Sequence, residues 1–144
     1  MSVQIQARYD GGVDCTARHE PSGRELRLTA PTDNGGDGSS FSPTDLVATG
    51  LLTCVLVTMA MSARKRDFDL PGMKGRVEKR MITSPNRRIG QLPLEIWIPG
   101  DYDDKQRATV ERAATHCPVH QSLKEDLEIE ITFHWGVEPP AELV

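Results

Sequence analysis

The chain has 144 residues, of which 26% are charged, and its formal net charge is −4 at pH 7. This length predicts a single domain, residues 1–144, with a real hydrophobic core. The acidic balance, without a basic stripe, argues against nucleic acid binding. The first residues, MSVQIQARY, contain no apolar signal region, so we expect a cytoplasmic protein.

Residues 1–41 predict three strands followed by a loop. Residues 3–9 alternate apolar and polar side chains, which predicts a half-buried strand. Residues 13–19 and 24–30 predict two more strands, separated by turn residues. Cys15 lies on a strand face with Val13 and Ala17, so core packing is its simplest role. Residues 31–40, PTDNGGDGSS, form a loop.

Residues 42–66 predict the central helix of the fold. Ser42 and Asp45 form a capping box around Pro43, and basic residues 64–66 suit the negative end of the helix dipole. Residues 46–63 carry no charge and are apolar on every face. Such a helix is buried on most sides or lies in a membrane.

We weigh the membrane alternative by length and composition. Eighteen uncharged residues span about 27 Å, near the minimum for a bilayer. Threonine, serine and glycine dilute the run, and the remaining chain predicts amphipathic strands that need a soluble core. We therefore predict a buried central helix and no membrane, with a second subunit helping to cover the helix.

Residues 76–135 predict strands, a helix pair and a final strand. Strands are expected over 76–82 and 92–98, with Pro93 marking an edge or a bulge. A helix capped by Asp101 or Asp103 reaches about His116, a second helix covers 118–124, and a strand covers 127–135. The tail, VEPPAELV, is expected to fray. Segregated strands and helices favour an α+β fold with mainly antiparallel sheets.

Three cysteines without a secretory signal do not make a disulfide framework. Cys117 precedes Pro118 and is the expected N-cap of the short helix, where the helix dipole favours a thiolate. His116 and His120 are positioned to add positive charge. The competing interpretation is that Cys117 is a small apolar side chain packed at the corner between two helices. Its position alone does not distinguish a thiolate from a packing residue.

Cys54 has the opposite character, because it lies in mid-helix among apolar residues. Burial there would raise its pKa, so a core thiol is the simpler interpretation from composition. Asp45 precedes Cys54 by about 13 Å along the same helix. It would approach Cys54 only from a partner helix packed antiparallel, and capping alone is sufficient to explain Asp45.

The motifs F-S-P-T-D-L-V-A-T-G-L-L-T-C and C-P-V-H-Q-S-L, in this order, resemble the OsmC/Ohr family, whose pattern is an S/N-P-x-x-L helix with one cysteine and a later C-P-V/I segment with the second. The resemblance extends over nearly the whole chain. It implies an intertwined α+β homodimer with antiparallel sheets around the long central helices. It also implies a thiol-dependent peroxidase for organic hydroperoxides, acting in oxidative stress defence.

Carried over from the resemblance, Cys54 would be the attacking thiolate and Cys117 the resolving thiol. Cys54 would become a sulfenic acid, condense with Cys117 to a disulfide, and be reduced by an external dithiol of lipoyl or thioredoxin type. No cofactor is implied. On the residues alone, Cys117 would be the more acidic thiol, and the assignment of the attacking role to Cys54 follows the family.

Two departures concern the groups that would activate Cys54. The characterised branches have a glutamate where this chain has Thr44, and an arginine where it has Val13. The possible activators here are Asp45, Arg8, Arg18, Arg27 and His120.

Two alternatives remain. The first is a non-catalytic protein that binds a small ligand in the interfacial apolar pocket. The second is a metal site from Cys54, Cys117, His116 and His120, whose spacing is not a standard zinc pattern, so no metal is expected.

Overall fold

A computed structural model describes residues 1–144 and has a mixed helix and sheet architecture, as predicted. It contains two compact units, Met1–Val47 and Ala48–Val144. The prediction of one domain over residues 1–144 stays a prediction. The strands are β1 Ile5–Gly11, β2 Asp14–His19, β3 Arg24–Thr29, β4 Lys74–Val77, β5 Arg80–Ile82, β6 Arg88–Gln91, β7 Leu94–Ile98 and β8 Ile131–Trp135. The helices are α1 Pro43–Arg64, α2 Asp104–Thr115 and α3 Pro118–Ser122, with a 3₁₀ turn at Thr32–Asn34.

The unit Met1–Val47 is built on an antiparallel sheet in the order β1-β2-β3. Its two faces differ in polarity because side chains alternate along each strand. Tyr9, Cys15 and Leu28 lie opposite one another on an apolar face. Arg8 and Arg27 flank Thr16 on the polar face. The three predicted strands of this region are therefore confirmed.

The burial predicted for the first strand is wrong for a single chain. Ile5 is 69% exposed and Tyr9 is 71% exposed, although both belong to the apolar face. A three-stranded sheet has no second layer of its own, so one of its faces stays open unless another element covers it. The apolar side chains of β1 therefore lie on a face of the sheet that is exposed in the single chain.

Helix α1 begins as predicted. The Ser42 backbone N–H donates to Asp45 Oδ2 over 2.8 Å, and the Asp45 backbone N–H donates to Ser42 Oγ over 3.1 Å. This reciprocal pair is a capping box, which satisfies two of the backbone donors that a helix start leaves free.

Along α1, one stripe of side chains is buried. The stripe repeats every three or four residues, and its members are Ala48, Leu51, Val55, Met59 and Ala63. It packs in one hydrophobic cluster with Leu94, Ile96 and Ile98 of β7. The opposite side of α1 is open, with Val57 57% exposed and Met61 55% exposed. Helix α1 is therefore the core helix of this unit, as predicted, and its open side is the side that the predicted second subunit would cover.

Helix α1 also meets the length and composition expected of a membrane span. Its buried stripe and its place in the core cluster are those of a core helix in a water-soluble unit.

The unit Ala48–Val144 carries a sheet in the order β4-β7-β8 and a separate hairpin of β5 and β6. Strand β4 pairs antiparallel with β7, whereas β8 pairs parallel with it. Helices α2 and α3 lie between β7 and β8 in the chain, and a crossover of this kind lets the strands run in the same direction. The mainly antiparallel prediction holds with this one exception.

Several predicted bounds are wrong. Residues 76–82 form β4 and β5 rather than one strand, and residues 88–98 form β6 and β7, with Pro93 in the break. Proline has no N–H for a sheet ladder, which accounts for an interruption at that position. The last strand begins only at Ile131. The tail is held in place, because Lys74 Nζ donates to the Leu143 carbonyl over 3.0 Å.

The outer face of the β4-β7-β8 sheet carries a packed polar and aromatic cluster. The His134 ring stacks on Trp97 with centroids 4.8 Å apart, and the Arg76 guanidinium lies 5.2 Å from the Trp97 ring. Glu95 joins the two, since it accepts from Arg76 over 2.6 Å and contacts His134 Nε2 over 3.2 Å. The Arg76 hydrogen bond holds the pKa of Glu95 below its usual value, and His134 adds to this effect against the opposing effect of burial.

This cluster predicts an acid-sensitive contribution to stability. A lowered carboxyl pKa stabilises the fold above the unfolded-state pKa, and this contribution is lost as the pH falls through the folded-state pKa. The free energy of unfolding of the wild type should therefore fall more steeply below about pH 4.5 than that of Glu95→Gln. Urea unfolding across this range measures both slopes. Glu125→Gln, which removes an exposed carboxylate outside the cluster, should follow the wild type, and identical slopes for wild type and Glu95→Gln would contradict the prediction.

Candidate active site: a thiol pair on two helices

Cys54 lies at the edge of the open side of α1. At about 3.6 residues per turn, it shares a ridge with Gly50, Val57 and Met61, which are four residues before it and three and seven residues after it. Cys54 itself is half-buried and packs against the core cluster. A β-carbon placed at Gly50 would have nothing within 4 Å. Cys54 is therefore a core thiol on one side and reachable on the other.

Cys117 lies in the two-residue link between α2 and α3 and is 0% exposed. It is the N-cap of α3, as predicted, with Pro118 at the first helical position. The His120 backbone N–H donates to Cys117 Sγ over 3.3 Å, and the Val119 N–H also interacts with this sulfur. The cap fixes the direction of the sulfur, and the core packs around it.

The tertiary structure brings the two thiols near each other, because Cys117 belongs to the core cluster against which Cys54 packs and the two sulfurs interact electrostatically. Burial is the largest effect on Cys117 and raises its pKa, and the interaction with Cys54 raises it further, whereas the two N–H groups of the cap oppose the shift. The expectation that the cap position makes Cys117 an acidic thiol is therefore wrong, because desolvation of the charged form outweighs two backbone donors.

The two histidines beside Cys117 make other contacts, and the activating role of His120 stays a prediction. His116 Nδ1 lies 2.7 Å from the Arg112 carbonyl at the end of α2, and His120 contacts the sulfur through its backbone N–H. No group of three or more His, Cys, Asp or Glu side chains is arranged to hold a metal ion. The alternative of a metal site made from the two cysteines and these histidines therefore lacks its geometry.

The three candidate arginines share the polar face of the β1-β2-β3 sheet and are each paired with a carboxylate of that sheet or its turns. None lies on the apolar face that carries Cys15, because their positions alternate with it. The pairs are Arg8 with Asp10 at 3.0 Å and Glu25 at 3.5 Å, Arg18 with Glu20 at 3.4 Å, and Arg27 with Asp14 at 2.7 Å. Asp45 has its capping role in α1. The activating role of all four stays a prediction.

Gln121 was not singled out from the sequence. Its side-chain amide Nε2 donates to the Thr115 carbonyl over 3.1 Å, so it closes the corner that contains Cys117 from outside the core. The only signal for it in the sequence is its place four residues after the cap cysteine.

Comparison with known proteins shows the family of this chain. The family model described as OsmC-like protein matches residues 36–132. Among curated proteins, an uncharacterized protein of Acinetobacter baylyi is 27% identical over 86% of this chain and 87% of its own length. An organic hydroperoxide resistance protein of Xanthomonas axonopodis pv. citri is 24% identical over 88% of this chain and 90% of its own length.

Solved structures agree with the sequence match. A crystal structure from Psychrobacter arcticus, named provisionally as an osmotic stress induced and detoxification response protein, has a TM-score of 0.84 and 34% identity over 90% of this chain and 94% of that chain. An organic hydroperoxide resistance protein from Legionella pneumophila has a TM-score of 0.77 and 19% identity, covering 93% and 97%, and supports the fold alone. The chain, with its antiparallel sheets, its long core helix and its two cysteine motifs, belongs to the OsmC-like protein family.

Proposed function

We propose that this protein is a thiol-dependent peroxidase that reduces organic hydroperoxides through Cys54 and Cys117. The observation that carries the proposal is the approach of a half-buried thiol on α1 to a fully buried thiol of raised pKa at the start of α3. A two-cysteine peroxidase needs one thiol that peroxide can reach and a second that is close enough to close a disulfide.

The two environments support different roles for the two cysteines. Cys54 borders the open side of α1, so a hydroperoxide reaches it first, and its thiolate attacks the terminal peroxide oxygen. The O–O bond breaks, the alcohol leaves with a proton, and Cys54 becomes a sulfenic acid. Cys117 then gives up its proton and its thiolate attacks the Cys54 sulfur; the sulfenic hydroxyl takes up that proton and leaves as water, and a disulfide forms. An external dithiol supplies two electrons and two protons to restore both thiols.

The names of several similar proteins support this chemistry. Proteins from Xanthomonas axonopodis, Legionella pneumophila and Bacillus subtilis are organic hydroperoxide resistance proteins. The proposal extends that activity to this chain because both cysteines are present and near each other. The dithiol is proposed to be of lipoyl or thioredoxin type, and the site of action is proposed to be the cytoplasm.

Proteins of the OsmC-like family are soluble and generally dimeric. We propose that this chain is a homodimer in which the open side of α1 is covered. Val57 and Met61 each expose more than half of their surface, and large contiguous apolar surface is a mark of association. A partner on this side would also cover the edge on which Cys54 lies, so the dimer would complete the pocket around the thiol.

Removing the attacking thiol should abolish turnover. Cys54→Ser should lower the consumption of cumene hydroperoxide, with excess dithiol, to the uncatalysed rate, because a serine hydroxyl does not form a sulfenic acid. Without dithiol, Cys117→Ser should still reduce about one equivalent of hydroperoxide per chain and stop with Cys54 as a sulfenic acid that dimedone traps. Peroxide loss and mass spectrometry of the reacted chain measure both.

Cys15→Ser is the matched control and should retain wild-type turnover, since Cys15 lies on the β1-β2-β3 sheet outside the pair. Undiminished turnover in Cys54→Ser would refute the proposal. Thiols that stay reduced in the wild type would instead favour the alternative of a protein that binds a small ligand without chemistry.

A charge on the open side of α1 should weaken self-association. Val57→Asp would place a carboxylate in the apolar contact of both copies, and we expect the dissociation constant to rise by at least about tenfold, because a buried unpaired charge is costly. Sedimentation equilibrium measures the change. Val137→Asp, at an exposed apolar position after β8, is the control that should leave association unchanged, and a Val57→Asp chain that associates like the wild type would contradict this interface.

A further inference from the structure

We propose that Gln121 is a positioning residue that sets the rate at which Cys117 closes on Cys54; this inference deepens the proposed function and rests on it. The Gln121 side chain donates to the carbonyl of Thr115, two residues before Cys117. Residues 115 and 121 therefore lie on either side of Cys117 in the sequence, and their hydrogen bond links the chain before this cysteine to the chain after it.

The carbonyl of Thr115 is a natural anchor for such a bond. It belongs to the last turn of α2, where carbonyl groups lack partners within the helix. Helix α2 is itself well anchored, because Asp103 forms a capping box with Gln106 at its start and the side chains of Val110 and Ala114 are fully buried. Gln121 thus ties α3 to a rigid neighbour.

Helix α3, in contrast, is too short to be stable by itself. It is five residues long and contains no fully buried residue. Its other supports are the packing of Val119 against the core cluster and three local bonds: the Cys117 cap, the Gln121 N–H to Cys117 carbonyl bond and the Ser122 Oγ to Pro118 carbonyl bond. A single helical turn is marginal without tertiary contacts, so the direction of α3 depends on the packing of Val119 and on the bond from Gln121 to α2.

That direction matters in the second step of the reaction. The sulfur of Cys117 must move from its position near Cys54 to the bond length of about 2 Å that a disulfide has. Because Cys54 is held in a 22-residue core helix, the approach depends on how α3 presents Cys117. Gln121 does not touch Cys54, so the first step, attack on peroxide, does not depend on it.

The test separates the two steps. Reduced protein is mixed with one equivalent of cumene hydroperoxide, and quenched samples are assayed for Cys54 sulfenic acid, trapped by dimedone, and for the Cys54–Cys117 disulfide. In Gln121→Glu, which keeps the shape but replaces the donor amide, we expect the disulfide to form about two- to tenfold more slowly, the loss expected for one hydrogen bond. Oxidation of Cys54 should keep its wild-type rate, and the trapped sulfenic acid should rise.

Two further variants isolate the donor. Gln121→Met lacks both donor and charge and should be slowed like Gln121→Glu, whereas Gln121→Lys, which again can donate to the Thr115 carbonyl, should recover most of the wild-type rate. Gln121 is exposed, so the fold should tolerate all three changes. A wild-type closure rate in Gln121→Met, or an equal slowing of both steps, would overturn the positioning role.

Diamide distinguishes failure of this inference from failure of the proposed function. It takes up two electrons and two protons as it converts two thiols to a disulfide, and so tests closure without any peroxidase step. If hydroperoxide leaves Cys54 reduced while diamide closes the pair, the peroxidase proposal fails. In that case, slower diamide closure in Gln121→Met than in the wild type still supports Gln121, and equal rates overturn it.

Discussion

The fold of the larger unit depends on the packing of one stripe of α1 against the sheet below it. Leu51, Val55 and Met59 are fully buried and share one core with Leu94 and Ile96 of β7. Full burial of a side chain of this size stabilises a fold by about 1.5–3 kcal/mol, so a few such residues make up a large part of the stability of a domain. The same packing decides which side of α1 stays open and therefore where Cys54 lies.

The open side of α1 bears on why this helix has more apolar residues than its contact with the core requires. A helix that were only a core helix of this unit would need one apolar stripe, yet α1 is apolar on every face. The exposed apolar side chains of Val57 and Met61 are explained if a second copy buries them. Proteins of this family are generally dimeric. Cys54 lies on the same ridge, so the proposed dimer contact and the proposed chemistry share one region of the molecule. In the proposed dimer, a partner would cover the edge of α1 on which Cys54 lies.

Cys117 illustrates how two local effects compete at one sulfur atom. Its cap position provides backbone N–H groups that favour a thiolate, and its burial disfavours any charge. Burial is the stronger effect, since two polarised N–H groups replace only part of the hydration that a thiolate loses. A thiol with a raised pKa is a poor nucleophile toward peroxide, which suits the resolving role proposed for Cys117. The proposed division of roles thus has a basis in the environment of Cys117 in addition to the family resemblance.

The sequence by itself determined the elements whose causes are local. The Ser42–Asp45 capping box, the α3 cap at Cys117 and the alternation of β1–β3 each depend on neighbours a few residues apart, and all were predictable. Tertiary structure alone decided the approach of Cys54 to Cys117 and the raised pKa of Cys117, because the first depends on residues far apart in the chain and the second on which neighbours exclude water. It also decided the parallel pairing of β7 with β8, since helices α2 and α3 carry the chain back across the sheet before β8 begins.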